Sequence, residues 1–150
     1  MGDDEESRLD RELIELLNEL RVTLPGVQVL FAFLLTVPFS QRFELVNDLQ
    51  KYAYLVALVG TAAGSALLIA PTPYHRIRWR DRDKEQLLRT SNRLAIAGTV
   101  ALALAMTSAV FLVADFLFHA PLPAVLAGLL AGLIAWLWYG LPLLRDLRDR

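Results

Sequence analysis

LAIAGTVALALAMTSAVFLVADFLFH, the run at residues 94–119, decides the fold. Between Leu94 and Phe118 its only polar side chains are Thr99, Thr107, Ser108 and Asp115. A helix in a soluble bundle needs a polar stripe along its outer face. This run has none, and it is long enough to cross a bilayer, which takes about 20 mainly apolar residues. Three more runs of that kind lie at 22–39, 52–70 and 122–144, and the last holds no charge. The chain of 150 residues is 55% hydrophobic and 21% charged, close to soluble averages. What departs from a soluble protein is segregation, because the charges gather at the ends and in two short stretches. The expected fold is all-α: an integral membrane bundle of four transmembrane helices, residues 22–144, behind a cytoplasmic amphipathic helix at 1–21.

Charge sets the expected orientation. With four spans, the N-terminus, the 71–93 loop and the tail at 145–150 share one side, and together they hold 13 Lys and Arg. The opposite side holds Arg42 and Lys51. Basic flanks stay in the cytoplasm. Both termini are therefore expected inside, in the plasma (inner) membrane of a bacterium. The bacterial source is suggested by 13 Arg to 2 Lys and by abundant Ala and Leu. Trp79, Trp136, Trp138 and Tyr139 would anchor the inner interface, and Phe43, Tyr52 and Tyr54 the outer one. The acidic residues 1–6 do not read as a secretory signal, which needs positive charge.

The polar segments carry patterns of their own. Residues 1–21 have a net charge of −5, and Leu9, Leu13, Leu16 and Leu20 recur on one helical face. A helix this acidic should pack on protein rather than on anionic lipid. Pro25-Gly26 is expected to break or kink it where the first span begins. Residues 74–93 have a net charge of +4. There Arg76, Arg78, Trp79 and Arg80 read as a contact with anionic lipid headgroups, in preference to nucleic acid. The same loop could serve as the docking partner of the acidic helix. Asp83 and Gln86 fit a capping box that starts the third helix ahead of the membrane. Pro71 and Pro73 end the second helix. Residues 40–51 either extend the second helix or lie along the outer interface.

Asp115 is the only formal charge inside any span. An acid at mid-membrane costs about 2.5–3.5 kcal/mol on insertion scales and is a functional candidate by default. A carboxyl there suits transfer of H+ or Na+. Ser108 and His119 would share its helical face and open outward. Gln28 follows the Pro25-Gly26 pair. It would line a cavity if that pair frees backbone carbonyls, or simply bond a neighbouring helix. Thr36 lies at a depth similar to Asp115, and Pro38 should leave a carbonyl free beside it. The structural alternative is that Asp115 reaches headgroup water or bonds His119 or a nearby hydroxyl.

Small residues recur every fourth position: Gly60 and Gly64, Gly128 and Gly132, and Ala97, Ala101, Ala105 and Ala109. Such ridges let backbones approach, either within one chain or between copies. Four short helices enclose little space, so transport would favour a homo-oligomer. Cys is absent, and two His cannot build a metal site alone. No phosphate loop, G-x-S-x-G or H-E-x-x-H occurs. The chain reads as neither an enzyme nor the carrier of a cofactor.

LRVTLPGVQVLFAFLLTVPF at 20–39, Ile69-Ala70-Pro71 with Tyr74-His75-Arg76, and Asn92-Arg93-Leu94-Ala95 together resemble a family. It is a family of small uncharacterised bacterial membrane proteins of actinobacterial type. The resemblance covers most of the chain. It implies four membrane helices and, because some relatives are labelled sodium:proton antiporters, cation transport. It implies no set of functional residues. Two functions follow as expectations. One is a homo-oligomeric transporter of a monovalent cation or proton, with Asp115 as its protonatable site. The other is a membrane scaffold or accessory subunit that binds partners through its cytoplasmic helix and loop.

Overall fold

The computed structural model describes residues 2–41, 43–73 and 84–148. Among these residues, the α-helices α1 Gly2–Thr36, α2 Asp48–Ile69, α3 Lys84–Leu117, α4 Leu122–Ala135 and α5 Leu141–Arg148 follow one another. Short 3-10 turns at Val37–Phe39 and Phe43–Leu45 join α1 to α2, and a π-helical turn at Trp136–Gly140 joins α4 to α5. There is no strand among the described residues. Four stretches are long and apolar enough to cross a membrane: Ile14–Phe39, Asp48–Pro73, Leu88–Leu117 and Leu122–Leu144. Only 11% to 22% of the most apolar part of each is buried within the chain. Surface so apolar and so exposed needs hydrocarbon around it, while each helix bonds its own backbone groups. This is a multi-pass membrane protein.

The helix ends follow from local chemistry. Asn47 caps α2: its Oδ1 accepts from the Gln50 backbone N–H at 2.9 Å, and Gln50 Oε1 accepts from the Asn47 N–H at 3.0 Å. The second helix thus starts at Asp48, inside the 40–51 stretch and ahead of 52. It ends at Ile69, before Pro71, which has no N–H for the Leu67 carbonyl. α3 is already helical at Lys84, well ahead of Leu94. Its proposed cap at Asp83 lies outside the described residues, as do residues 74–82.

Two expectations need correction. Pro25 does not break α1, which runs as one helix through it. Pro25 and Gly26 are exposed, so the one hydrogen bond that proline removes is lost at the helix surface while its neighbours persist. And α3 stops at Leu117, short of His119. Pro121 and Pro123 lack the N–H groups that would continue the ladder to Leu117 and His119. Further on, the widening at Trp136–Gly140 sits where Pro142 has no N–H for the Trp138 carbonyl.

α3 is central. It packs most extensively on α2, then on α4, and α1 lies against α2 and α3. α2 and α3 are antiparallel: Gly60 stands against Ala101 and Ala105, and Gly64 against Gly98 and Leu102. A Cβ on Gly60 would come within 3.1 Å of the Ala101 carbonyl, and one on Gly64 within 3.2 Å of the Gly98 carbonyl. A Cβ on Gly98 would meet Leu68 at 2.8 Å. The seam is therefore as close as backbones allow, which is what small residues at that spacing permit. Leu20 and Val27 of α1 join Leu68 and Leu102 in the core cluster, with Leu16 and Leu24 packed around it. The apolar face of the acidic segment thus packs on protein, as its pattern predicts for Leu16 and Leu20. The side chains of Leu9 and Leu13 lie outside the described ones.

Candidate functional site

The polar residues meet at one end of the α2–α3 seam. Gln50 sits in the first turn of α2, only 7% exposed. Its Nε2 donates to Asp115 Oδ2 at 2.9 Å. Asp115 is half-buried near the C-terminal end of α3. One amide therefore completes the cap of one helix and holds the carboxylate of another. The cap also determines which way that amide faces. Asn47 N–H needs an oxygen, so Oε1 turns to it and the NH2 group is left for Asp115. Asp115 Oδ1 has no partner among the described residues.

Gln50 was not foreseen as a partner. The signal was present, since Asn47 and Gln50 stand at capping-box spacing. What that spacing does not reveal is that the capping amide has a second hand, and that α3 offers a carboxylate to it. Asp48 and Lys51 lie on the same turn but pair with each other at 3.2 Å, both solvent-exposed.

The other proposed pathway groups do not join this pair. Ser108 is half-buried and Gln28 exposed, with no hydrogen bond between either and Asp115. His119 is exposed in the turn after α3. A residue beyond the helix end does not keep helical register with Asp115, so the expected His119–Asp115 face is not formed. Thr36 is exposed and its hydroxyl donates to the Phe33 carbonyl at 2.7 Å. Pro38 does leave the Leu34 carbonyl without its usual donor, but Tyr54 of α2 donates to it at 3.1 Å. That carbonyl is thus used to tie α1 to α2. Phe43 packs edge-on against the same tyrosine, with ring centroids 5.4 Å apart.

Among the described residues, apolar grooves of about 320, 430 and 460 Å³ run along the α1–α3 side. Neither Asp115 nor any of Ser108, His119, Thr36 and Gln28 lines them. Their lining is apolar apart from Thr23, Ser40 and Gln41. No cluster of three or more His, Asp or Glu that could hold a metal occurs among the described residues. Thr99 and Tyr139 form a second polar link, hydroxyl to hydroxyl at 2.9 Å, between α3 and the π turn. Thr99 already donates to the Ile96 carbonyl, so Tyr139 is the donor. The buried hydroxyls of Ser65 and Ser91 have no partner among the described residues.

The small-residue ridges divide. Gly60, Gly64, Ala101 and Ala105 meet across the α2–α3 seam. Ala97 is exposed. Gly128 and Gly132 have nothing within 4 Å of where a Cβ would stand. Within one chain they pack nothing among the described residues. The headgroup candidates Arg76, Arg78, Trp79 and Arg80 lie outside the described residues.

Four apolar helices, a close antiparallel pair at their centre and one polar clamp at its end define a small multi-pass membrane bundle. The chain belongs to DUF6328, a family of unknown function, which matches residues 2–142. No curated protein and no solved structure matches it.

Proposed function

We propose that this protein is a homo-oligomeric transporter of a monovalent cation or proton in the bacterial inner membrane, with Asp115 as its protonatable site. One observation carries this reading. A carboxylate within a membrane helix is gripped at Oδ2 by a buried amide, while Oδ1 has no partner among the described residues. A single interhelical hydrogen bond in a membrane is worth about 0.6 kcal/mol. That is small beside the cost of an acid at mid-membrane, about 2.5–3.5 kcal/mol, although the cost falls toward the helix end where Asp115 stands. An apolar pair would hold the seam as well, so the acid has a use other than packing. The open ridge of Gly128 and Gly132 supports assembly, since it lets a second backbone approach α4. A path for the ion would then form between copies.

The test is flux in proteoliposomes, followed with a pH-sensitive dye under H+, Na+ and K+ gradients. Wild type should carry current that Asp115→Asn loses while remaining folded. No flux from well-inserted wild type, or flux untouched in Asp115→Asn, would end the transport reading.

A second reading is an accessory subunit or scaffold docking through its acidic helix. It is favoured by the exposed Arg8, Arg11 and Glu12 on α1 and by Ile14, 59% exposed among them. The pair of Arg8 and Glu12, 3.4 Å apart, adds only a few tenths of a kcal/mol to the helix, about 0.2–0.5. In this reading that charged surface serves binding. Co-purification of a stoichiometric partner, lost on neutralising Glu12 and Glu15, would favour it.

A further inference from the structure

Resting on the transport reading above, we infer that Gln50 makes Asp115 a site for a proton and not for Na+. The argument is an inventory of oxygens. A hard cation takes several oxygen ligands in place of its hydration shell. Among the described residues, three polar side chains are linked at this end of the seam: Asn47, Gln50 and Asp115. The cap uses both amide oxygens, Asn47 Oδ1 on the Gln50 N–H and Gln50 Oε1 on the Asn47 N–H. What Gln50 turns to the carboxylate is an N–H, the positive end of its dipole. That leaves Asp115 Oδ1 as the one oxygen of the three without a partner among the described residues. One oxygen beside an N–H donor is a poor nest for Na+. It is sufficient for H+, which needs a single lone pair. Uptake is then transfer of one proton from hydronium to Oδ1, leaving water, and release is the reverse. Among the described residues near this end, Asp48 and Lys51 pair with each other and are exposed, and Glu44 and His119 are exposed with no hydrogen bond to Asp115.

Gln50 is a positioning residue here, so its test is one that a merely structural amide would not move. Thermal unfolding of the purified protein in detergent is compared in NaCl and in choline chloride at equal ionic strength. A cation bound to the folded state raises Tm by mass action. Wild type should show the same Tm in both salts. Gln50→Glu keeps one oxygen for the cap and turns a second toward Asp115, so it should gain a Na+-specific rise of a few °C. Adding Asp115→Asn should abolish that gain. A Na+-specific rise in wild type that Asp115→Asn removes would overturn the proposal. So would a folded Gln50→Glu protein as indifferent to Na+ as wild type. If Gln50→Glu fails to fold, the wild-type comparison still decides. None of these readings depends on flux, so loss of the transport reading and loss of this selectivity show separately.

Discussion

Gly60 and Gly64 on α2 share one spacing with Gly128 and Gly132 on α4, yet their surroundings differ completely. At the first pair a methyl group would press on carbonyls of α3 at 3.1–3.2 Å. At the second it would meet nothing within 4 Å. The difference lies in the partner and not in the motif. α3 presents Gly98, Ala101 and Ala105 to α2, so two smooth ridges meet and the backbones close up. Toward α4, the ridge turns away from α3 and faces outward. In hydrocarbon no hydrophobic force closes such a gap, because lipid is as apolar as leucine. A small-residue ridge is therefore a permission, and a facing ridge is what uses it.

The comparison is sharpest with matched substitutions. Gly98→Leu should lower stability by about 3 kcal/mol, the upper end of overpacking costs, in SDS-driven unfolding from mixed micelles. Gly132→Leu should not lower monomer stability, since it too removes glycine's helix penalty where a Cβ meets nothing within 4 Å. Equal losses at the two positions would mean that α4 is packed as tightly as α2. Next in size is the polar end of the occupied seam. Asp115→Ala strands the buried Gln50 amide and should cost about 2 kcal/mol, while Asp115→Asn, which keeps an acceptor, should cost less than half of that. If alanine and asparagine behave alike, the Gln50 bond adds nothing to the seam. Tyr54→Phe leaves the Leu34 carbonyl without its donor and should cost about 1 kcal/mol, read in the same assay. The smallest effect is on the open ridge. Gly132→Ala should stabilise by up to about 1 kcal/mol, because it removes glycine's helix penalty without a contact to offend. In the oligomeric reading, Gly128→Leu should reduce association in detergent, measured by analytical ultracentrifugation, without changing monomer unfolding.

Much of this fold is legible without coordinates. Four apolar runs of bilayer length admit one kind of backbone, since only helices satisfy their own polar groups in lipid. The boundaries follow from Pro71, Pro121 and the Asn47–Gln50 cap, all local chemistry. Asp115 stands out because a charge among so many apolar residues needs a reason. The errors came where local rules meet context. Of the break or kink expected at Pro25, the break does not occur, because one lost hydrogen bond at an exposed position leaves the helix continuous. His119 was placed on a helix that ends before it.

By itself, then, the sequence determined the class: span count, span length, the lone carboxylate and the freed carbonyl at Pro38. These rest on hydropathy and on backbone donors, which act within one segment. Only the tertiary structure decided the pairings. Gln50 finds Asp115, Tyr54 takes the Leu34 carbonyl, and one glycine ridge is filled while the other stays open. Each depends on how one helix is rotated against another. In a membrane that rotation is set by close packing and a few hydrogen bonds, and hydropathy along the chain carries no trace of it.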